Sequence, residues 1–399
     1  MPGHPRFTDD PTVVVVGAGP AGRSLTHRLI RHGVATTLVD PHPTRSWTPT
    51  YAAWTDELPG WVHPEAIAAT TAAIAAHAHR PIRIDRSYTV FHTDGLQRSL
   101  AVDDATVITA RAREVAEHHV VLDDGRVLGA THVIDCRGPT GRPRPRQTAF
   151  GVVVPTAAAR TAIGDAEAVL MDWRAPQSED SWDADGPAPS FLYAVPVADD
   201  RTLLEETCLV GDPAVTIAEL AQRLSRRLAG TGIDSRHAGH TERVSFPMLG
   251  ATLRPWRCRP LRHGAAGGLL NPTTGYGVAA MLTAADDVAA AIVAGSDAVS
   301  VMWPARARAV WRLRVAGLGV LLDLDPAQTV DFFDAFLSLP PPAQRAYLSD
   351  RADLAGTLTT MARVFGTLDA SGRRTVLRSV SRVDHAIGRA SRRRRSSAR

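Results

Sequence analysis

Apolar positions along the chain switch between two periods, and the switches outline an α/β protein. Val13–Val16 is an unbroken β-branched run, the pattern of a parallel strand buried on both faces. From Pro20 to His32 the apolar residues Leu25, Leu29 and Ile30 fall on one helical face, and Gly33 ends that helix. Ala35–Val39 reads as a second strand, closed by Asp40. Residues 47–64, rich in Trp, Pro and Thr, read as loop, and the alanine-rich stretch Pro64–His79 reads as a helix. Strand-like runs follow at Arg83–His92, Thr106–Ala110, Val120–Leu122 and Thr131–Cys136, with a hairpin signal at Asp124-Gly125. Strand and loop dominate from Gln147 to Val210. Asp180–Pro189 is a polar loop, and Phe191–Val197 and Thr202–Val210 are strands joined by a turn at Asp199-Asp200. Thr216–Ala229 is an amphipathic helix and Ser235–Phe246 a strand, and the glycine-rich stretch Gly264–Gly277 feeds a helix over Val278–Ala294. From Val299 the period is helical. Its last part interleaves Val376, Leu377, Val380, Val383 and Ile387 with Arg373, Arg374, Arg378, Arg382 and Arg389, and Arg392–Arg395 follow.

Composition narrows this picture only a little. With 399 residues, 44% of them hydrophobic and 22% charged, the chain has the material for two or three ordinary globular domains. Its three cysteines are scattered without a CxxC pair, so neither a metal site nor a disulfide framework is expected, and a reducing compartment is. The first apolar run leads straight into a glycine loop, so no secretory leader is expected. The longest apolar helix, Val278–Val293, is interrupted by Asp286 and Asp287, too early for a membrane span. There is no lysine, and the net charge is only +4. The clustered arginines sit in a tail on an enzyme-like chain, which speaks against nucleic acid and for an anionic membrane surface or a solvated helix.

Four motifs carry chemistry. In Gly17-Ala18-Gly19-Pro20-Ala21-Gly22, after a strand and before a helix, Gly17 permits the tight turn and Gly19 the approach of a pyrophosphate. Gly22 lets helix and strand pack closely, and the helix N-terminus offers N–H groups to phosphate. Asp40 stands where a carboxylate accepts hydrogen bonds from a ribose diol and repels a 2′-phosphate, which disfavours NADP. The strand Val133–Cys136, ending in Arg137-Gly138-Pro139, suits a second backbone turn, with Asp135 and Gly138, brought to such a dinucleotide, or is simply one of many strands that end in glycine. Asn271-Pro272-Thr273-Thr274-Gly275-Tyr276-Gly277, before the Val278 helix, suits the polar edge of a flavin ring or an anionic reduced flavin, with a plain glycine-rich connection as the alternative. In Leu203-Leu204-Glu205-Glu206-Thr207 alternation puts Glu205 on the face of Leu203 and Thr207, and Glu206 on the other. A carboxyl held against apolar surface keeps its proton to higher pH and can serve as a general acid; paired glutamates on a solvated strand are the plain alternative.

These segments, with Trp47…Tyr51-Ala52-Ala53-Trp54-Thr55-Asp56-Glu57, Gln147–Gly151, Met171-Asp172-Trp173-Arg174, Phe191–Pro196, Phe246-Pro247-Met248 and Phe332–Phe336, resemble in order the lycopene cyclase family of plant and bacterial flavoproteins. The family commonly has Phe at Leu203, His at Asn271 and Gly at Ala52. The resemblance implies a Rossmann-like FAD-binding domain of the glutathione-reductase/hydroxylase type, with an inserted β-sheet substrate domain and a C-terminal helical region. On that plan residues 1–46, 103–146 and 250–295 form the FAD domain, 47–102 and 147–249 the substrate domain, and 296–399 the helical region with its basic tail. It further implies a redox-neutral cyclisation of lycopene ends to β-ionone rings, using reduced FAD kept so by NAD(P)H, in a bacterial, cytoplasmic protein at the membrane surface. Glu205 would be the acid, with Glu206 as partner or support. Trp47, Tyr51, Trp54, Trp173, Phe191 and Tyr193 would line a polyene tunnel or simply pack a core. A redox flavoenzyme of the same fold group, reductase or hydroxylase, and a non-catalytic flavin or carotenoid binder are the competing readings.

Overall fold

The computed structural model describes residues 12–139, 145–175, 188–235 and 239–380. The first strand, Thr12–Val16, is the centre of a five-stranded parallel sheet. Ala35–Asp40 and then Thr106–Thr109 lie on one side of it, His132–Asp135 and then Leu261–Arg262 on the other. Val13 to Val16 are buried, as an unbroken β-branched run requires. The helices Pro20–Arg31 and Val278–Val293 cover one face of this sheet and pack against each other. A three-stranded meander over Ala112–Val115, His119–Leu122 and Val127–Gly129 covers the other, turning at Gly125 with φ of 89°.

A seven-stranded sheet stands beside it. Its order is His240–Pro247, Arg146–Pro155, Arg201–Gly211, Phe191–Ala198, Val169–Asp172, Ile74–His77 and Pro81–Ile84, antiparallel except between Val169–Asp172 and Ile74–His77. The back of this sheet packs Leu204, Cys208, Val152 and Ala194 against Leu220 and Leu224 of the helix Ile217–Arg227, which Thr216 caps. Full burial of a leucine such as Leu204 is worth roughly 1.5–3 kcal/mol. The front of the sheet faces the parallel sheet and the C-terminal helices. Those helices are Ala305–Asp323, Pro326–Leu337, Pro341–Leu348 and Leu354–Thr367, with residues 370–380 also helical.

Two sequence expectations are corrected. The stretch Pro64–His79 is not a helix: after one turn at Pro64–Ala66 it forms the strands Ile67–Thr71 and Ile74–His77. Alanine's helix propensity loses to open strand positions beside Tyr88–Phe91 and Val169–Asp172. Ile74, Ala76 and Ala78 are buried in alternation, a period hidden because Ala75 is as apolar as its neighbours. The run Arg83–His92 is two strands, Pro81–Ile84 and Tyr88–Phe91, broken at Arg86, whose guanidinium pairs with Asp56 and Glu57 at 2.8 Å each. Most of the Asp180–Pro189 loop, Val383, Ile387, Arg382, Arg389 and Arg392–Arg395 lie outside the described residues.

Candidate active site

The carboxyl ends of the parallel strands and the front of the seven-stranded sheet enclose one cavity of about 510 Å³. Open α/β sheets bind ligands at this end. One end of the cavity is backbone. Gly19, Pro20 and Ala21 line it from the first turn of the Pro20–Arg31 helix, whose N-cap Gly19 carries no side-chain cap. Gly17, at φ of 108°, makes the turn off the strand, and a Cβ on Gly22 would sit 1.7 Å from the Gly17 carbonyl oxygen. A Cβ on Gly19 would meet nothing within 4 Å, so that backbone stands open to a ligand. The Ala18 N–H donates to Asp40 Oδ2 at 2.8 Å, so Asp40 braces the glycine loop from behind. Asp135 does the same for the next turn: it holds the Arg137 guanidinium at 2.9 Å, while Arg137 and Gly138 line the cavity.

The third wall is the loop before the Val278–Val293 helix. Thr274, Gly275, Tyr276 and Gly277 line the cavity. Gly275 takes φ of 78°, and a Cβ there would meet Gln147 Oε1 at 2.3 Å. That amide oxygen is buried in the cavity wall without a hydrogen-bond partner among the described residues, which suits a ligand presenting an N–H. Asn271 does not reach this cavity. Its amide donates to the Leu348 carbonyl at 2.8 Å and its oxygen accepts from Thr273 N–H at 3.0 Å, tying the loop to the C-terminal helices. Asn271, Pro272 and Trp54 instead line a second, smaller cavity of about 30 Å³.

The far end of the cavity belongs to the seven-stranded sheet. Leu203, Glu205, Thr207 and Leu209 face it from one strand, and Phe191 and Tyr193 from the next. Tyr51 and Tyr88 close the side. Glu205 is 7% exposed and accepts one hydrogen bond, from the Thr207 hydroxyl at 2.7 Å. Burial, then the nearby Glu242 charge, pushes its carboxyl up to about 8. Glu206 points the other way. It is fully buried behind the sheet, held by Arg227 Nε at 2.7 Å and the Ser190 hydroxyl at 2.6 Å. Trp173 lies on the front of the sheet but outside the cavity lining, with ring centroids 4.7 Å from both Phe191 and Phe333. Trp47 stands edge-on to Tyr51 and donates its indole N–H to the Ala18 carbonyl at 3.3 Å.

Sequence reasoning missed three contributors. Glu242 lines the cavity from the edge strand; both its oxygens accept from Thr50, the N–H at 2.7 Å and the hydroxyl at 2.6 Å. Tyr88 bridges Tyr193 and Tyr276 through phenol contacts of 3.2 Å each, joining the sheet to the glycine loop. Burial raises all three phenols well above the usual tyrosine range, so they stay protonated donors. Gly151 lies opposite both Glu205 and Glu242. No local pattern flags these residues, because each acquires its neighbours through strand pairing.

The family described as "Lycopene cyclase protein" matches residues 12–373. An uncharacterized carotenoid cyclase of Deinococcus radiodurans is 33% identical over 95% of this chain and 95% of its own length. The chloroplastic lycopene beta cyclase of Solanum lycopersicum is 28% identical over 85% of this chain and 74% of its own. Among solved structures, a geranylgeranyl bacteriochlorophyll reductase-like protein of Thermoplasma acidophilum shares the fold, with a TM-score of 0.60, 13% identity and coverage of 89% and 98%. Klebsiella pneumoniae HpxO, solved in complex with FAD, does so with a TM-score of 0.52, 13% identity and 94% coverage of both chains. The fold is therefore that of the FAD-dependent hydroxylases and reductases, with the parallel sheet and helical C-terminus expected from the sequence. A match running from the first strand to the C-terminal helices takes in every segment that walls the cavity, and by it this chain belongs to the lycopene cyclase family.

Proposed function

We propose that the protein cyclises the ψ end groups of an acyclic carotenoid of the lycopene type, by acid catalysis without net redox change, with reduced FAD bound. One observation carries this reading: a buried carboxyl without a charged partner among the described residues, Glu205, stands between Leu203 and Leu209 in the wall of the same cavity that the dinucleotide-type glycine turn lines. The Gly17–Gly22 turn, the Asp135–Gly138 turn and the Thr274–Gly277 loop would hold FAD, with Asp40 and Asp135 bracing the first two and Asn271 and Pro272 the third. An NAD(P)H-linked source would keep it reduced. The chemistry FAD supplies when bound is electrostatic, a reduced and anionic ring beside developing positive charge in a dry pocket.

The chain's own residues do the rest. Glu205 keeps its proton near neutral pH because ionising it would bury an uncompensated charge beside Glu242. It donates that proton to the terminal double bond, and the neighbouring double bond closes the six-membered ring on the resulting cation. Tyr51, Phe191 and Tyr193 exclude water and offer ring faces to that cation. Trp47, Trp54 and Trp173 act by packing behind these rings. Glu206, paired with Arg227, supports the strand rather than the chemistry. The substrate class dissolves in bilayers, so the protein would work at a membrane surface. Among the described residues no helix is long and apolar enough to cross one.

Expression in a lycopene-accumulating host tests the proposal. A cyclic product of unchanged mass is expected, whereas added hydrogens or oxygen would reassign the protein to reductase or hydroxylase chemistry. Glu205→Gln should retain flavin and give no cyclic product; near-normal cyclisation by that variant would remove Glu205 from its role.

A further inference from the structure

A proton delivered to start a redox-neutral ring closure must be matched by one taken away from another carbon of the ring, and a second carboxyl in the cavity can take it without Glu205 having to reach both positions. Strand register supplies a second group. Glu242, Gly151, Glu205 and Tyr193 form one row across four adjacent strands, since Gly151 pairs with both glutamates and Glu205 pairs with Tyr193. Directly opposed residues share a face, so both carboxyls project into the cavity. Two strand spacings separate their backbones, roughly 9–10 Å, and the residue between them has no side chain. Gly151 lets the Leu203 side chain and the Glu205 strand close over it, since a Cβ there would meet Leu203 Cδ1 at 2.7 Å and Glu205 Cβ at 3.2 Å, so no side chain stands between the two carboxyls on that row.

The two carboxyls are not equivalent. Glu205 receives a single hydroxyl donor, whereas both Glu242 oxygens accept from Thr50, and donors favour the ionised form. Burial raises both groups, and the Thr50 bonds pull Glu242 back down. Two carboxyls in one cavity, one with a single donor and one with a donor on each oxygen, can divide the roles of acid and base.

We propose that Glu242 is the catalytic base that removes the proton after ring closure, facing the same cavity as Glu205 from two strands away; this rests on the cyclase reading above. The O–H bond of Glu205 breaks, and its proton forms a C–H bond with the electron pair of the terminal alkene. The next alkene pair forms the ring C–C bond and leaves a cation on the ring. The electron pair of an adjacent C–H bond becomes the ring double bond, and its proton goes to a Glu242 oxygen. No electrons leave the substrate. Exchange with solvent returns the proton to Glu205. Which C–H lies nearest Glu242 decides where the ring double bond forms, so Glu242 also sets the ring isomer.

The test compares wild type, Glu242→Gln, Glu242→Asp and Thr50→Val as flavin-loaded enzymes on lycopene, with rate and ring double-bond position as readouts. Glu242→Gln is expected to keep its flavin, lose about 100-fold or more in turnover and shift its residual product toward ring isomers with a displaced double bond. Glu242→Asp, which keeps the charge and is the test if Glu242→Gln does not fold, should recover part of the rate with a mixed isomer pattern. Wild-type rate and isomer in both Glu242 variants would overturn the assignment. So would an equal defect in Thr50→Val with the isomer unchanged, which would make Glu242 a tether for the Thr50 segment. If wild type itself forms no ring, the cyclase reading falls first and this one with it.

Discussion

Glu205 shows how one side chain couples folding to catalysis. Its carboxyl titrates near 8 in the fold against an ordinary 4.5, because it is buried and because Glu242 faces it. The folded chain thus keeps a proton that the unfolded chain releases. Stability from this group is full below about 4.5 and is lost as pH rises toward 8, at up to about 1.4 kcal/mol per pH unit. Thermal melting of the wild type from pH 5 to pH 9 should show that decline, and Glu205→Gln should flatten it and melt above the wild type at pH 9. The same proton is the catalytic one, so turnover should fall as pH passes 8 while flavin content holds. A rate that rises through pH 8 would exclude a protonated Glu205.

The Arg201–Gly211 strand divides its labour by alternation. Its cavity face carries Leu203, Glu205, Thr207 and Leu209; its back carries Leu204, Glu206 and Cys208 against the Ile217–Arg227 helix. Adjacent glutamates therefore live in opposite surroundings, one without a cation partner among the described residues and one clamped by Arg227. Glu206 is fully buried, and removing the arginine paired with it leaves that charge uncompensated, which typically costs about 3–5 kcal/mol. Arg227→Met should lower stability by that order in denaturant melts while leaving the ring isomer of any product unchanged. A loss of cyclisation in a variant that melts normally would bring Glu206 into the chemistry.

At the scale of the whole molecule, the cavity is the seam between two sheets. The Tyr193–Tyr88–Tyr276 contacts span it, and Asn271 ties the Asn271–Gly277 loop to the C-terminal helices. Those helices are part of the fold through residue 380: Thr375 and Ser379 are buried, and Val376 and Val380 pack on the core. A basic tail can therefore be tested without harming the fold only by cutting after residue 380. Deleting 381–399 should leave the melting temperature unchanged and reduce flotation with anionic vesicles. Equal flotation of both chains would take the tail out of the account of substrate access.

The sequence by itself determined the βαβ start, the order of most strands and helices, and the split between Glu205 and Glu206. Those depend on local periods and on glycine positions that the backbone cannot fill otherwise, such as Gly22 against Gly17. It misread Pro64–His79, because alanine is apolar at every position and conceals a two-residue period. Only the tertiary structure decided which of the motif residues share a cavity. Asn271, Trp54 and Trp173 fall outside its lining and Glu242 joins it, because cross-strand register rather than chain neighbourhood sets what faces Glu205.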